Sequence, residues 1–406
     1  MNELATIDEI KKHLANLDLD IRKSGNGRWI DQKVTPDVLC LTAESILSHM
    51  ENSKIDTFTM RSLWDDPQYS EATKTFNKPD VDNNNARNEY DKLISQPCST
   101  LAYAQVIGKK PDINRNIYCL NSDTSILRFI AHRSDNAYKF LCLYIQKVLQ
   151  DSGLWDLFDN FYDLGGRSVV SSSDYHLLKD SFSNFLIEYT KINGITETRR
   201  IFTKVINPLA AKFNVKGTKG GHLSPHSINF SDLLYNQINF RDINKEKKLT
   251  RQEADELINK TPSFGYEINK ATKQISRHHN SSEMDDEINY DGKTEVHHIF
   301  MKHEKPQLAA HLENLINLTP NQHRSKAHPG SNFNTVDPEY QKLCLFKKCN
   351  AVEESEAKND SFYNKEKLIE VVNIGFDEPL LEIRDTYQAI KDKLNNFYME
   401  RFKVAI

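Results

Sequence analysis

Residues 294–330 read TEVHHIFMKHEKPQLAAHLENLINLTPNQHRSKAHPG, and no other stretch restricts the possible fold as much. It opens as a short β-like piece ending in the doublet His297 and His298. A loop then leads to Leu312, Glu313, Asn314 and Leu315, followed by an apolar strand over 316–318, a turn at Thr319, Pro320 and Asn321, and a helix from about His323. Strand, loop, strand and helix in that order make one compact unit with histidines at both ends. Neutral imidazole can accept a proton near neutral pH and is a common metal ligand. Successive strand residues face opposite ways, so both members of the doublet cannot face one ion unless the strand end is irregular.

The rest of the chain reads as helical, and the expected class is α+β, mainly helical. Residues 1–50 form helices broken by KSGNGRWIDQKVTPD, where Gly25 and Gly27 interrupt and Pro36 restarts with Thr35 as its cap. Over 57–131 three short helices, FTMRSLW, QYSEATKTFN and NNARNEYDKLISQPCSTLAYAQVI, precede two β-like pieces, INRNIYCLN and the start of TSILRFIA. Helices followed by a small hairpin is the order of a winged helix, which presents a helix to a DNA groove. Residues 135–190 carry an aromatic-rich apolar stripe (Phe140, Tyr144, Leu154, Trp155, Phe158, Phe161) that reads as core. The expected regions are an N-terminal helical part (1–56), a winged-helix-like part (57–135), a basic helical part (136–243), a polar linker or weakly packed helix (244–290) and a C-terminal unit with trailing helices (291–406).

The formal net charge of −4 argues weakly against nucleic acid, but charge is uneven. Residues 191–250 hold eleven Lys and Arg against four acids, an excess of seven positive charges. A DNA-binding protein needs a basic face rather than a basic total. Within that segment Arg199, Arg200, Lys216 and Lys219 are candidate phosphate contacts, and Gly217, Gly220 and Gly221 would let the backbone approach a phosphate. The competing reading is a solvated loop between two helices. The six cysteines are scattered and read as reduced, mostly buried thiols, with no second pair to complete a zinc site around Cys344 and Cys349. No apolar run approaches a membrane span and the N-terminus lacks a signal-peptide pattern, so a cytoplasmic protein with no membrane partner is expected.

In the doublet, the N-L-x-x-L run and the helix histidine, the chain resembles the HNH, or ββα-metal, nuclease family. LTPNQHRSKAHPGSN, YQKLCLFKK and GRWIDQKVTPDVL are further similar to type II HNH restriction endonucleases. The resemblance implies metal-dependent hydrolysis of double-stranded DNA at a specific site. A divalent ion, taken to be Mg2+, would be held by His297 and His323, with His298 as the catalytic base and Asn314 holding it across the loop. Arg324 would contact DNA, and palindromic sites would favour a homodimer. Relatives often place a second helix ligand four residues after the first, where this chain has Ala327. His328, five residues on, lies about 140° round a regular α-helix, so it joins only if the helix unwinds before Pro329; otherwise water or substrate oxygens complete the sphere. Relatives with C-x-x-C-H bind a structural zinc where this chain has Thr319 and Gln322, so that zinc is not expected. His278, His279 and His303 read as surface residues.

Two rivals stand beside this reading: a less specific HNH defence or nicking nuclease, and a DNA-binding regulator keeping an inactive HNH unit. Asp31, Lys33 and Asp37 suggest a carboxylate-and-lysine nuclease, but such centres place their first acid well upstream of the D-x-K element.

Overall fold

The computed structural model describes residues 4–53, 57–66, 69, 73, 87–111, 116–235, 265–286, 292–332 and 334–402. It is mainly helical, with small antiparallel sheets, and divides into two compact units, Met1–Lys248 and Leu249–Ile406. The three N-terminal regions expected from sequence are therefore one unit.

In the first unit helix α1 (Ile7–Ala15) starts at a capping box in which Thr6 and Glu9 satisfy each other's backbone N–H groups. After the short α2 (Ile21–Ser24) comes α3 (Pro36–Ser53), buried along most of its length. The Thr35 hydroxyl donates to Asp37 Oδ1 at 2.6 Å instead of capping a helix amide, as had been expected of it. Strand β1 (Thr57–Thr59), α4 (Met60–Trp64), α5 (Arg87–Tyr103), β2 (Ile107–Pro111) and β3 (Asn116–Leu120) follow. The three strands form an antiparallel sheet with β3 in the middle. Of the expected helix over 68–77, all but Tyr69 and Thr73 lies outside the described residues.

One strand assignment is corrected here. The start of TSILRFIA is helix α6 (Ser125–His132), and the partner of β3 is 107–111, of which only Ile107 lay in an expected element, the end of a helix. A short apolar run cannot be assigned by periodicity alone. Leu127, Ile130 and Ala131 share the i, i+3, i+4 face that a helix buries, and α6 packs on α3 and on α7 (Ser134–Asp151). In α7 Phe140, Tyr144, Ile145 and Val148 are fully buried, each contributing roughly 1.5–3 kcal/mol of apolar transfer. Helices α8 (Trp155–Gly166), α9 (Ser172–Tyr189) and α10 (Ile195–Lys212) complete the bundle, with Phe158, Phe182 and Phe202 in mutual ring contact.

The glycine-rich basic stretch is a hairpin rather than a loop, formed by β4 (Lys216–Lys219) and β5 (His222–Ser227). Gly220 and Gly221 turn it with φ of 61° and 84°, both in the region a two-residue I′ turn demands. Gly217 serves packing, since a Cβ there would lie 2.5 Å from Asn207 Oδ1 on α10.

In the second unit the polar stretch, expected as a linker or a weakly packed helix, is over 265–278 a helix packed into the core. Helix α11 (Gly265–His278) buries Tyr266, Ala271 and Ile275, and Ala271, Ile275 and Met284 belong to the apolar core. Its narrow apolar stripe is outnumbered by polar residues, which is why composition alone suggested a linker. Strands β6 (Glu295–His298) and β7 (Leu315–Leu318) pair antiparallel, with His297 opposite Ile316 and His298 opposite Leu315. A helical turn over 322–327 follows, then α12 (Pro338–Lys358), α13 (Lys365–Phe376) and α14 (Tyr387–Phe402) around Leu345, Val352, Val372, Ile390 and Leu394. Among the described residues no helix is long and apolar enough to cross a membrane, and all six cysteines are free thiols.

Candidate metal centre

Strand β6 places Glu295 and His297 two residues apart, hence on one face. The turn after β7 brings two more imidazoles to them. His297, His323 and His328 offer ligand nitrogens within 4.8 Å of one another. Their rings form a near-equilateral triangle, with centroids 5.2 Å (297 to 323), 5.0 Å (297 to 328) and 5.3 Å (323 to 328) apart.

His328 joins because the turn is not α-helical. Residues Gln322–Ala327 wind as a π-helix, whose i to i+5 closure accommodates one residue more than an α turn. Residues five apart therefore stack as residues four apart do in an α-helix. The winding then stops at His328, which is extended (φ −120°, ψ 92°) before Pro329.

Hydrogen bonds fix the ring tautomers. His323 Nδ1 lies 2.7 Å from Glu295 Oε2, and His328 Nδ1 lies 2.7 Å from Thr335 O. Oxygens of an ionised carboxylate and of a carbonyl can only accept, so both Nδ1 atoms carry a proton, which leaves Nε2 as the nitrogen of each ring that could ligate an ion. Burial pushes the Glu295 carboxyl upward, but hydrogen bonds from Arg324 and His323 outweigh it and hold the group below its usual range. A carboxylate behind a histidine is the arrangement that orients metal-binding imidazoles. His297 is only 2% exposed, and its Nε2 is buried without a hydrogen-bond partner among the described residues. Burial, and then the neighbouring imidazoles, hold His297 well below the usual histidine range. A buried His297 nitrogen without a partner among the described residues, beside two further imidazoles, fits a divalent cation.

His298 takes a different path. Its Nε2 lies 3.1 Å from Ala309 O in the loop, so Nε2 donates and the lone pair falls on Nδ1. Burial lowers its pKa, partly offset by that hydrogen bond, so the ring is neutral at pH 7. Asn314, fully buried, touches the loop rather than His298. Its Oδ1 accepts from Phe300 N at 2.8 Å, and its Nδ2 donates to Phe300 O at 3.1 Å and Leu308 O at 3.2 Å. Leu308 adjoins the Ala309 carbonyl that holds His298, so Asn314 fixes the ring at one remove.

Arg324 bonds the Glu295 carboxylate through Nε at 3.2 Å and through its terminal nitrogen, with its side chain 57% exposed. Glu295 was missed in the sequence, although the E-x-H spacing on a strand carries the signal. His278 and His303 are exposed as expected, but His279 is half-buried and bonded to Tyr363.

The basic candidates belong to the first unit. Lys219, Arg199 and Arg200 are exposed and Lys216 is half-buried. Arg199 acts electrostatically on Tyr175, whose hydroxyl lies 2.6 Å from Thr218 Oγ1 in β4, so Arg199 lies near the hairpin. Lys109 and Lys110, exposed on β2, were not singled out, though the run GKKP between two strands marks them. Asp31 and Asp37 are buried structural acids: Asp31 pairs with Arg28 at 2.6 Å, and Asp37 accepts from Thr35 and from Tyr235 N. No known protein family, curated protein or solved structure matches the chain.

Proposed function

We propose that this chain is a metal-dependent endodeoxyribonuclease of the HNH type, working as type II restriction enzymes do, on double-stranded DNA at a specific short site. The observation that carries the reading is the cluster His297, His323 and His328 with a separately held fourth imidazole, His298, next to it.

A divalent ion held by the three Nε2 atoms would supply Lewis-acid charge for the phosphoryl oxygens. His298 Nδ1 takes the proton of the attacking water as its oxygen bonds phosphorus and the phosphate–sugar oxygen bond on the far side breaks. Ala309 O keeps the His298 lone pair on that nitrogen, and Asn314 keeps Ala309 in place. Arg324 offers exposed positive charge beside the site for a neighbouring phosphate. Three imidazoles favour Co, Ni, Cu or Zn in affinity, while Mg2+ and Mn2+ prefer carboxylates and water and serve where abundant.

For the first unit we propose DNA reading. Among the described residues α3, β1, α4, α5, β2 and β3 follow one another with a sheet ordered β1-β3-β2, which supports a winged-helix-like reading, and the β4–β5 hairpin with Arg199 and Arg200 adds a basic surface. Binding as a homodimer would match a palindromic site and cut both strands. Incubating supercoiled plasmid with the protein and Mg2+, Mn2+ or Ni2+, and mapping the ends, tests all of this. Recurrent ends at one sequence are expected; smeared ends favour a less specific nuclease, and uncut plasmid with every ion overturns the enzyme reading.

A further inference from the structure

A π turn has poorer hydrogen-bond geometry than an α turn and persists where its surroundings hold it. The source of that hold lies outside the strand–loop–strand–helix motif. The turn begins at a capping box: Gln322 N donates to Thr319 Oγ1 at 3.1 Å, and Gln322 Oε1 accepts from Thr319 N at 2.9 Å. Gln322 is fully buried, and its side chain continues into the segment 279–286. Its Oε1 also accepts from the Ser282 hydroxyl at 2.5 Å, and its Nε2 donates to Met284 O at 3.4 Å and to Asp286 Oδ1. The second Asp286 oxygen accepts from Lys326 at 2.8 Å. One carboxylate thus spans residues 322 and 326, the two ends of the turn that carries His323 and leads into His328.

The segment is itself anchored to β7, whose partner strand carries His297. Glu283 N donates to Asn317 O and Asn317 N donates to Glu283 Oε1, both at 2.8 Å, while Asn317 Nδ2 donates to His279 O and Ser281 O at 3.0 Å each. Lys348, fully buried, donates to Glu283 Oε2 at 2.7 Å. We infer that residues 279–286 are a strap that fixes the π winding, and that Gln322 is the positioning residue through which the strap sets His323 and His328 against His297. The inference rests on the metal-site reading above. It assigns to the strap the job of holding the helix start against the strands, through hydrogen bonds, the Asp286–Lys326 ion pair and the buried Met284.

The test is Co2+ titration of the full chain at 25 °C, by calorimetry and visible absorption, with no DNA present. Gln322→Ala removes every side-chain bond. Gln322→Glu sets a carboxylate against Asp286, and Gln322→Glu with Asp286→Asn restores a donor–acceptor match. Both single variants should bind Co2+ about tenfold or more weakly, the double variant within about threefold of wild type, each keeping its helical circular dichroism. Should the single variants fail to fold, Ser282→Ala removes one bond only and should weaken binding severalfold. Unchanged affinity in Gln322→Ala or Ser282→Ala, even with a lowered melting temperature, makes Gln322 merely structural and overturns the inference while leaving the metal site standing. A wild-type chain that takes up no Co2+ overturns the metal reading and this inference with it.

Discussion

Replacing Asn314 by Ala should cost about as much as truncating a fully buried leucine of the second unit. The substitution strands two backbone groups that the amide now satisfies, Phe300 N–H and Phe300 C=O, while Leu308 C=O loses one bond but keeps that from His311 N–H. Phe300 and Leu308 are 4% and 0% exposed, so solvent does not readily replace the partner. Each buried group left unpaired costs about 1–3 kcal/mol, and carbonyls sit at the lower end because an under-satisfied C=O is better tolerated than an orphaned N–H. The sum is about 2–4 kcal/mol, a large part of the ~5–15 kcal/mol that stabilises a typical domain. Asn314→Asp should lose as much, since it keeps the acceptor for Phe300 N–H but turns an oxygen toward two carbonyls. All three tryptophans, Trp29, Trp64 and Trp155, lie in the first unit, so fluorescence would not see the effect. The assay is hydrogen exchange at the Ile299 and Phe300 amides, both bonded to Asn314, with urea unfolding followed by circular dichroism. A loss below about 1 kcal/mol with protection unchanged would refute the argument that this amide holds the loop.

The two histidine roles separate by metal rescue: His323→Ala should weaken metal binding and regain plasmid nicking as metal is raised, by mass action. His298→Ala should bind metal normally and nick roughly 10²–10⁴-fold more slowly at saturating metal; the reverse pattern would exchange the roles. Lys216→Ala with Lys219→Ala should weaken cognate and random DNA alike and flatten the log–log salt slope by at most about two, whereas unchanged binding places the groove elsewhere. Burial holds His279 down to about 4 despite nearby Glu283, while Tyr363 can donate to its Nε2 and accept from Lys348. The unfolded chain gains this proton near pH 6.5 and the folded one only near pH 4, so stability should fall as pH drops through that window. His279→Gln should flatten that slope, and an unaltered pH profile in urea unfolding would contradict the assignment.

Much of the site could be read from local pattern. The strand carrying the doublet, the apolar strand over 316–318 and the turn at Pro320 all follow from short-range preferences, and each is found close to where the residues put it. The hairpin at Gly220 and Gly221 is less legible, because a glycine pair fits a loop as well as a tight turn until strands pair across it. The helix at 125–132 is a harder case: an apolar run that short takes its period from what it packs against, here α3 and α7.

By itself, the sequence determined the chemistry available: which residues are imidazoles, which strand they start from, and that a base and a ligand set could coexist within one short unit. It also determined that His328 stands five residues after His323, a spacing that a regular α-helix would turn away from the site. Only the tertiary structure decided that His328 comes in. The winding of 322–327 depends on bonds from Ser282, Met284 and Asp286, some forty residues upstream in a stretch whose composition suggested a linker. Helical period is a local property of the backbone, but a turn of unfavourable period survives through contacts that the surrounding fold brings to it, and those contacts carry no signature in the turn itself.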